Sequence, residues 1–159
     1  MKHIKNLIFD IDGVFTDGSV FITPDGDLLR TMNSKDGYAI RKAVKEGFNV
    51  IMISGGESES VRIRFDKLGV KHIYLGVSKK LAKFNEICEE FGFKAEESMY
   101  MGDDMLDIEL LESVSLSVCP ADASHFVIDI CDFITENGGG NAAVREIVEK
   151  ILLSQNKWL

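Results

Sequence analysis

The chain has 159 residues, of which 45% are hydrophobic, and this suits one compact domain spanning residues 1–159 with a substantial core. Its formal net charge of −8 and its isoelectric point near 4.9 exclude a basic surface that would attract a nucleic-acid backbone. An anionic ligand would have to be held by a few local cations or by a metal ion. The expected partner is therefore a small molecule and not a nucleic acid.

Three cysteines, Cys88, Cys119 and Cys131, lie in apolar surroundings without a CxxC spacing. Their odd number and spacing indicate buried free thiols in a reducing compartment. The first residues pass into a strand-like run without a long apolar segment or a cleavage site of small residues. We therefore expect a cytoplasmic protein that is neither exported nor inserted into a membrane.

Short apolar runs recur along the chain, and the earlier ones end in glycine, serine or acidic residues. Such runs are typical of buried strands whose tips lead into loops. The predicted strands are Leu7–Phe9, Val50–Ile53, His72–Leu75, Met99–Met101, Leu116–Val118 and Phe133–Ile134.

Segments with helical spacing lie between these strands. The predicted helices are Tyr38–Glu46, Ser58–Leu68, Lys80–Phe91, Met105–Ser113 and Ala142–Leu153, the last after a Gly138–Gly140 loop. Alternation of this kind predicts an α/β fold, with a Rossmann-like parallel sheet and helices on both faces. In such folds ligands bind beyond the carboxyl ends of the strands, where the polar residues would converge.

One stretch after the first strand breaks the alternation. Residues 19–23 and 28–32 flank Pro24-Asp25-Gly26-Asp27, which is a turn sequence. This pattern predicts a β-hairpin that projects from the end of the first strand. No repeat, linker or second domain is indicated.

Asp10 and Asp12 stand two residues apart at the tip of the first predicted strand, so both carboxylates can point to the same side. One of the pair can act as an ionised nucleophile, while the other exchanges a proton with a leaving group. Alone, an Asp-x-Asp-Gly sequence is more often a turn or a helix cap.

Asp103, Asp104 and Asp107 form a second acidic segment, at the end of another strand and the start of a helix. Alone, it suits a helix N-terminus, where negative charge is favourable. However, carboxylates from two strand ends are also the oxygen ligands that Mg²⁺ prefers. Asp10 and Asp103 are the predicted metal ligands.

Several carboxylates in one cleft would repel a phosphate, so compensating donors are needed. Ser54 ends an apolar strand before two glycines, and its hydroxyl and the adjacent N–H groups can hold a phosphoryl oxygen. Lys80 stands at a helix start, which disfavours a cation unless an anion lies beside it. Ser54 and Lys80 are predicted catalytic residues, and Gly13 and Gly55 are predicted to contact the substrate.

The order Asp-x-Asp-Gly, Ser, Lys, Gly-Asp-Asp-x-x-Asp resembles the four motifs of the haloacid dehalogenase superfamily of phosphohydrolases over most of the chain. Receiver domains of two-component signalling also combine acidic residues, Ser/Thr and Lys on an α/β fold. In receivers, however, the acidic cluster comes first and the acceptor Asp later, which is the reverse of the order here. The resemblance implies a phosphatase with Mg²⁺ as its cofactor.

The resemblance also implies a role for each residue. Asp10 would be the nucleophile and Asp12 the acid and base, and the metal would be held by Asp10, Asp103 and the backbone carbonyl of Asp12. Asp104 and Asp107 would orient Lys80 and metal-bound water from behind these ligands. Roles for Cys119 and His125 stay open.

A cap domain is common in this superfamily, but the chain leaves no room for one. The extended motif Asp10-Ile11-Asp12-Gly13-Val14-Phe15-Thr16-Asp17-Gly18 resembles that of the 3-deoxy-D-manno-octulosonate (KDO) 8-phosphate phosphatases. Those enzymes are tetramers of capless subunits. The resemblance therefore implies a homotetramer, associated through the hairpin, in which a neighbouring subunit completes the site.

One position departs from the family. Many relatives carry Arg, or Glu in enzymes for nine-carbon sugar acids, where this chain has Gly56. An alternative function is therefore that of a 9-phosphate phosphatase acting on a nine-carbon sugar acid. A second alternative, which is not an enzyme, is a non-catalytic regulatory domain. Arg64 and Lys67 are candidates for contact with a substrate carboxylate, although a solvated basic helix face is equally compatible.

Overall fold

The computed structural model describes all residues from 1 to 159. Six parallel strands form one sheet in the order β5-β4-β1-β6-β7-β8. The strands are β1 (Asn6–Phe9), β4 (Asn49–Ile53), β5 (His72–Tyr74), β6 (Ser98–Met101), β7 (Leu116–Cys119) and β8 (Phe133–Ile134). The predicted parallel α/β sheet is therefore confirmed.

Helices cover both faces of this sheet, as predicted. They are α1 (Ser34–Lys45), α2 (Glu59–Leu68), α3 (Lys80–Phe91), α4 (Ile108–Leu111), α5 (His125–Ile128) and α6 (Ala143–Ser154). Short 3-10 turns precede β6 (Ala95–Glu97) and α4 (Met105–Asp107). None of the helices is long and apolar enough to cross a membrane.

The alternation of side chains along β1 divides the core in two. Leu7 and Phe9 face a cluster of 26 buried residues under α1, α2 and α6, whereas Ile8 faces a cluster of 10 under α3, α4 and α5. Because both faces are covered, the central strands are apolar throughout rather than alternating. This burial explains why the strands could be predicted from continuous apolar runs in the sequence.

Helix α1 begins four residues before the predicted start. The side chain of Asn33 accepts a hydrogen bond from the amide of Lys35 and so caps the helix. The sequence predicted a later start because Gly37 lies in the first turn and glycine is a poor helix former. The predicted Met105–Ser113 helix is instead a 3-10 turn followed by the short α4.

The hairpin is present but shorter than predicted. Its strands are β2 (Phe21–Ile22) and β3 (Leu28–Leu29), which pair in antiparallel fashion as a separate two-stranded sheet. All four strand residues are exposed, and Phe21 and Ile22 keep 69% and 67% of their surface accessible. With nothing packed against them, the strands extend only as far as the turn holds them together.

Candidate active site

The carboxyl edge of the sheet gathers the predicted acidic residues. One carboxylate oxygen from each of Asp10, Asp103 and Asp107 lies within 4.8 Å of the others. We call these three residues the acidic centre. Asp10 directly follows β1, and Asp103 and Asp107 follow the neighbouring β6, so parallel pairing alone brings the two segments together.

Lys80, the first residue of α3, reaches into this centre. Its Nζ lies 2.6 Å from Asp107 Oδ1 and 2.9 Å from Asp10 Oδ2, and its side chain is only 4% exposed. Burial alone would lower the pKa of Lys80, but the charges of Asp10 and Asp107 raise it above its ordinary value. The lysine is therefore a fixed cation between two carboxylates, which accounts for its place at a helix start.

Asp107 is fully engaged by protein donors. Its Oδ1 accepts from Lys80 and from the hydroxyl of Tyr100, and its Oδ2 accepts from the amides of Asp103 (3.0 Å) and Asp104 (3.2 Å). A carboxylate with four donors has little capacity left for a metal ion. Asp107 instead fixes Lys80 and the turn that carries Asp103.

Asp10 and Asp103 differ from Asp107 because each has a carboxylate oxygen that no protein donor reaches. Asp10 Oδ1 is buried without a hydrogen bond, and no donor reaches the carboxylate of Asp103. Burial, followed by the charge of Asp107, raises the pKa of Asp10 to about 6. Burial, followed by the charge of Asp10, raises the pKa of Asp103 to about 7. Unpartnered oxygens from two adjacent strand ends fit a hard divalent cation, which would relieve this repulsion.

The loop at Gly13 closes one side of the acidic centre. Gly13 has a φ of +81°, and a Cβ atom built there would lie 1.9 Å from Asp103 Oδ2. Only glycine allows both this left-handed backbone and the close approach of the carboxylate. The glycine of the Asp-x-Asp-Gly sequence thus lets the loop after β1 pack directly against the carboxylate of Asp103.

Asp12 is not part of the acidic centre and is held by Arg30, which follows the hairpin. Arg30 Nε donates to Asp12 Oδ1 at 2.6 Å, and Nη2 donates to Oδ2 at 3.0 Å. The hydrogen bond to Asp12 raises the pKa of Arg30. Both Asp12 and Arg30 line a small pocket with Ser54, whose buried hydroxyl accepts from the amide of Gly56 at 3.3 Å.

The other predicted site residues lie further out. Asp104 is exposed, and its carboxylate accepts from the amide of Met105 as a helix cap. Gly55 is exposed beside Ser54, and Arg64 lines a cleft with Arg30. Lys67 is exposed on α2, where its side chain makes no hydrogen bond or ion pair.

Cys119 and His125 lie near the site but are not part of it. The Cys119 thiol ends β7, and a hydrogen bond with Cys131 lowers its pKa. His125 begins α5 at the surface, where its ring packs 3.9 Å from that of Phe126, centre to centre. All three cysteines are free thiols.

Two residues that contact the predicted site residues, Tyr100 and Arg30, are not identifiable from the sequence. Tyr100 lies inside the apolar run of β6 and resembles a core residue, although its hydroxyl is bound to Asp107. Burial, followed by the charge of Asp107, raises its pKa well above the ordinary value. Arg30 resembles a solvated charge at a strand edge, and its only sequence signal is its proximity to a predicted hairpin.

Comparison with known proteins identifies the class to which this chain belongs. A family model described as haloacid dehalogenase-like hydrolase matches residues 72–147. The 3-deoxy-D-manno-octulosonate 8-phosphate phosphatase of Escherichia coli K12 is 38% identical over 156 residues, which cover 98% of this chain and 83% of that protein. The sheet is parallel and six-stranded, and the acidic centre lies at its carboxyl edge. Together with the two matches, this places the chain in the class of haloacid dehalogenase-like hydrolases.

Solved structures agree with the sequence match. The crystal structure of the Yersinia pestis 3-deoxy-D-manno-octulosonate 8-phosphate phosphatase has a TM-score of 0.96 at 35% identity, covering 99% of this chain and 85% of that one. The Moraxella catarrhalis enzyme, solved with magnesium, phosphate and KDO, has a TM-score of 0.95 at 29% identity and covers 99% and 90%. The chain belongs to the family of 3-deoxy-D-manno-octulosonate 8-phosphate phosphatases, as its motifs predicted.

Proposed function

We propose that this protein hydrolyses 3-deoxy-D-manno-octulosonate 8-phosphate to KDO and phosphate with Mg²⁺ as its cofactor. The observation that carries the proposal is the buried Asp10, with one oxygen on Lys80 and the other without a partner. A nucleophilic carboxylate held by a fixed cation, with one oxygen free for a ligand, suits phosphoryl transfer. Membership of the family supports the substrate.

Asp10, Asp103 and the backbone carbonyl of Asp12 would hold the Mg²⁺ ion. When bound, the ion would neutralise the charge of the carboxylates and of the phosphoryl oxygens that develop charge in the transition state. The Lys80 ammonium and the Ser54 hydroxyl, with the adjacent Gly55 amide, would bind the remaining phosphoryl oxygens. Asp107 would keep Lys80 in place, and Asp104 would stabilise the turn behind it.

The reaction would proceed in two steps on Asp10 and Asp12. A carboxylate oxygen of Asp10 attacks phosphorus in line, the bond from phosphorus to the sugar oxygen breaks, and Asp12 gives its proton to that oxygen. Asp12 then takes a proton from water, which attacks phosphorus and releases Asp10. For the proton transfer, one oxygen of Asp12 has to turn from Arg30 towards the substrate.

The test of this function is a panel of phosphate esters assayed with and without Mg²⁺. The panel contains the 8-phosphate, a 9-phosphate of a nine-carbon sugar acid, and p-nitrophenyl phosphate. We expect kcat/KM for the 8-phosphate to exceed the others by about 10-fold or more and to depend on Mg²⁺. A preference for the 9-phosphate would reassign the substrate. No release from any ester would favour the alternative of a non-catalytic regulatory domain.

The exposed hairpin supports a further part of the proposal, a homotetramer in which a neighbouring subunit completes the site. Phe21 and Leu29 pair on one face of the hairpin, Ile22 and Leu28 pair on the other, and all four apolar side chains are exposed. A Phe21→Ser, Ile22→Ser variant should dissociate and lose activity, as measured by light scattering and phosphate release. An unchanged assembly in this variant would rule out the hairpin as the contact.

The strands of the main sheet come from residues 6–134 and α6 packs into the core beneath it, so we infer that residues 1–159 act as one hydrolase domain. The three free thiols support a reducing compartment, and we infer a cytoplasmic location. Localisation of a tagged chain by cell fractionation tests the second inference, and recovery outside the cytoplasmic fraction would contradict it.

A further inference from the structure

Thr16 is a buried polar residue in the loop after β1, and the chemistry described above does not use it. It is 1% exposed, and its Oγ1 accepts hydrogen bonds from the amides of Gly13 at 3.2 Å and of Gly18 at 3.1 Å. A hydroxyl oxygen has two lone pairs, so these two amides use its full capacity as an acceptor. One side chain therefore joins the two ends of the segment from Gly13 to Gly18.

The amide of Gly13 belongs to the same peptide group as the carbonyl of Asp12. The chain has no cis peptide bond, and in a planar trans peptide the N–H and the C=O point in opposite directions. The hydrogen bond from the Gly13 amide to Thr16 therefore also fixes the direction of the Asp12 carbonyl. That carbonyl accepts no hydrogen bond from the backbone, so its lone pairs are open to a ligand.

This peptide group is the central one of a tight turn, and such a peptide can take two orientations. The amide of Val14 donates to the carbonyl of Ile11 at 3.2 Å, which closes the turn, and Gly13 has a φ of +81°. A positive φ at this position is that of a type II turn, whereas a type I turn has the central peptide rotated the other way. Glycine permits both, so the turn alone does not set the carbonyl direction. The hydrogen bond to Thr16 selects one of the two orientations.

The loop before α6 holds the backbone of Thr16 in place. The amide of Gly140 donates to the carbonyl of Val14 at 3.1 Å. A Cβ atom built on Gly139 would lie 2.7 Å from the carbonyl oxygen of Thr16, so only a residue without a side chain fits there. The Thr16 hydroxyl is therefore presented to Gly13 by a backbone that a neighbouring loop contacts directly.

From these contacts we propose that Thr16 is a positioning residue for the metal site, which aims the carbonyl of Asp12 at Mg²⁺ by holding the peptide group between Asp12 and Gly13. The inference rests on the proposed function, in which this carbonyl is a metal ligand. The same turn contacts a second ligand, because Gly13 lies directly against the carboxylate of Asp103. Supporting contacts of this kind orient metal ligands, and their loss typically weakens metal binding by about 10- to 100-fold.

The test measures Mg²⁺ binding to Thr16→Val and Thr16→Ser by isothermal titration calorimetry without substrate. Valine keeps the shape of threonine but has no acceptor, whereas serine keeps the hydroxyl. We expect the Kd for Mg²⁺ to rise by about 10-fold or more in Thr16→Val and to stay within about 3-fold of the wild-type value in Thr16→Ser. An unchanged Kd in Thr16→Val would overturn the proposal. An equal rise in both variants would overturn it as well, because the hydroxyl would then not be the cause.

Phosphate release gives a second readout, which a purely structural role would not change in the same way. The Mg²⁺ concentration for half-maximal rate should rise in Thr16→Val by the same factor as the Kd. At saturating Mg²⁺, kcat should recover to within about 3-fold of the wild-type value. A loss of kcat that Mg²⁺ does not restore would mean that Thr16 supports the fold in general, and would contradict its assignment to a metal ligand.

Two further variants keep the result interpretable. Thr23→Val is the matched control, because Thr23 Oγ1 accepts from the amide of Asp27 at 3.0 Å in the hairpin, and it should leave the Kd for Mg²⁺ unchanged. Thr16→Ala, a smaller residue that also lacks the hydroxyl, replaces Thr16→Val if the valine variant does not fold. If the wild-type protein binds Mg²⁺ but releases no phosphate, the proposed function fails, and the calorimetric comparison still decides the role of Thr16.

Discussion

The buried polar side chains at the two ends of β1 differ in whether their hydrogen bonds are satisfied. At its start, Asn6 is 1% exposed, accepts from Asn49 Nδ2 at 2.8 Å and donates to Ser98 Oγ at 3.0 Å. At its end, Asp10 is also buried, but one of its oxygens has no partner and burial raises its pKa to about 6. The same strand therefore carries a neutral, satisfied pair at one edge of the sheet and an unsatisfied charge at the other.

This difference indicates which edge is structural and which is functional. Folding alone favours the arrangement at Asn6, because a buried polar group without a partner costs free energy. The arrangement at Asp10 destabilises the fold unless a ligand completes it. An unsatisfied carboxylate next to a second one, Asp103, is thus the physical signature of the site.

Replacing the cation at the functional edge should have the largest effect on stability. In Lys80→Met, Asp10 and Asp107 lose their shared partner while both stay buried. We expect the free energy of unfolding to fall by about 3 kcal/mol and kcat to fall by roughly 10²- to 10³-fold. Urea denaturation without Mg²⁺ and a phosphate-release assay measure the two effects. A variant as stable as the wild type would contradict the account of this edge.

Asp36 sharpens the comparison, because it is a buried carboxylate with an unpartnered oxygen outside the acidic centre. Its Oδ1 accepts from the amide of Arg145 at 2.7 Å, its Oδ2 has no partner, and burial raises its pKa to about 6. The folded state therefore keeps a proton that the unfolded chain releases near pH 4. The stability due to this proton is present below pH 4 and is lost as the pH rises to about 6.

In Asp36→Asn this pH dependence should disappear. Relative to the variant, the wild type should lose about 2–3 kcal/mol of unfolding free energy between pH 4 and pH 7, as measured by urea denaturation at several pH values. Asp25→Asn, in the exposed hairpin turn, is the matched control and should follow the wild type. A constant difference between wild type and Asp36→Asn would show that burial does not hold the proton on Asp36.

The smallest effect is expected at the start of β1. Asn6→Ala removes a satisfied amide and leaves Asn49 Nδ2 without this acceptor, while the Ser98 hydroxyl keeps its hydrogen bond to the carbonyl of Lys94; we expect a cost of about 1–3 kcal/mol. Its kcat/KM should stay within about 2-fold of the wild-type value, since Asp10 lies four residues further along the chain, or about 13 Å away. A large loss of activity in a folded Asn6→Ala protein would break the distinction between the two edges.

Much of the functional edge was predictable because it follows from strand order. Carboxyl ends of parallel strands meet at one edge, so Asp10, Ser54 and Asp103 could be placed together from their positions after apolar runs. Lys80 was predictable because a cation at a helix start needs a nearby anion.

The remaining contacts depend on side chains that meet across the fold. Arg30 reaches Asp12 only because the hairpin folds back, and the length and direction of a hairpin without packing partners are not encoded in its turn. Tyr100 lies in an apolar strand, and nothing in the sequence pattern indicates that its hydroxyl donates a hydrogen bond to Asp107. The buried pair between Asp36 and the start of α6 joins segments 109 residues apart and is likewise absent from any local pattern.

The central claim, that Asp10 carries the phosphoryl group, is tested most directly by trapping the covalent intermediate. Enzyme mixed with 3-deoxy-D-manno-octulosonate 8-phosphate and Mg²⁺ is quenched with borohydride, which reduces an acyl phosphate to an alcohol, and the peptides are analysed by mass spectrometry. The account predicts homoserine at position 10, and none in Asp10→Asn, whose turnover should fall by roughly 10⁴-fold or more. An unmodified Asp10 during turnover, or an active Asp10→Asn variant, would contradict it.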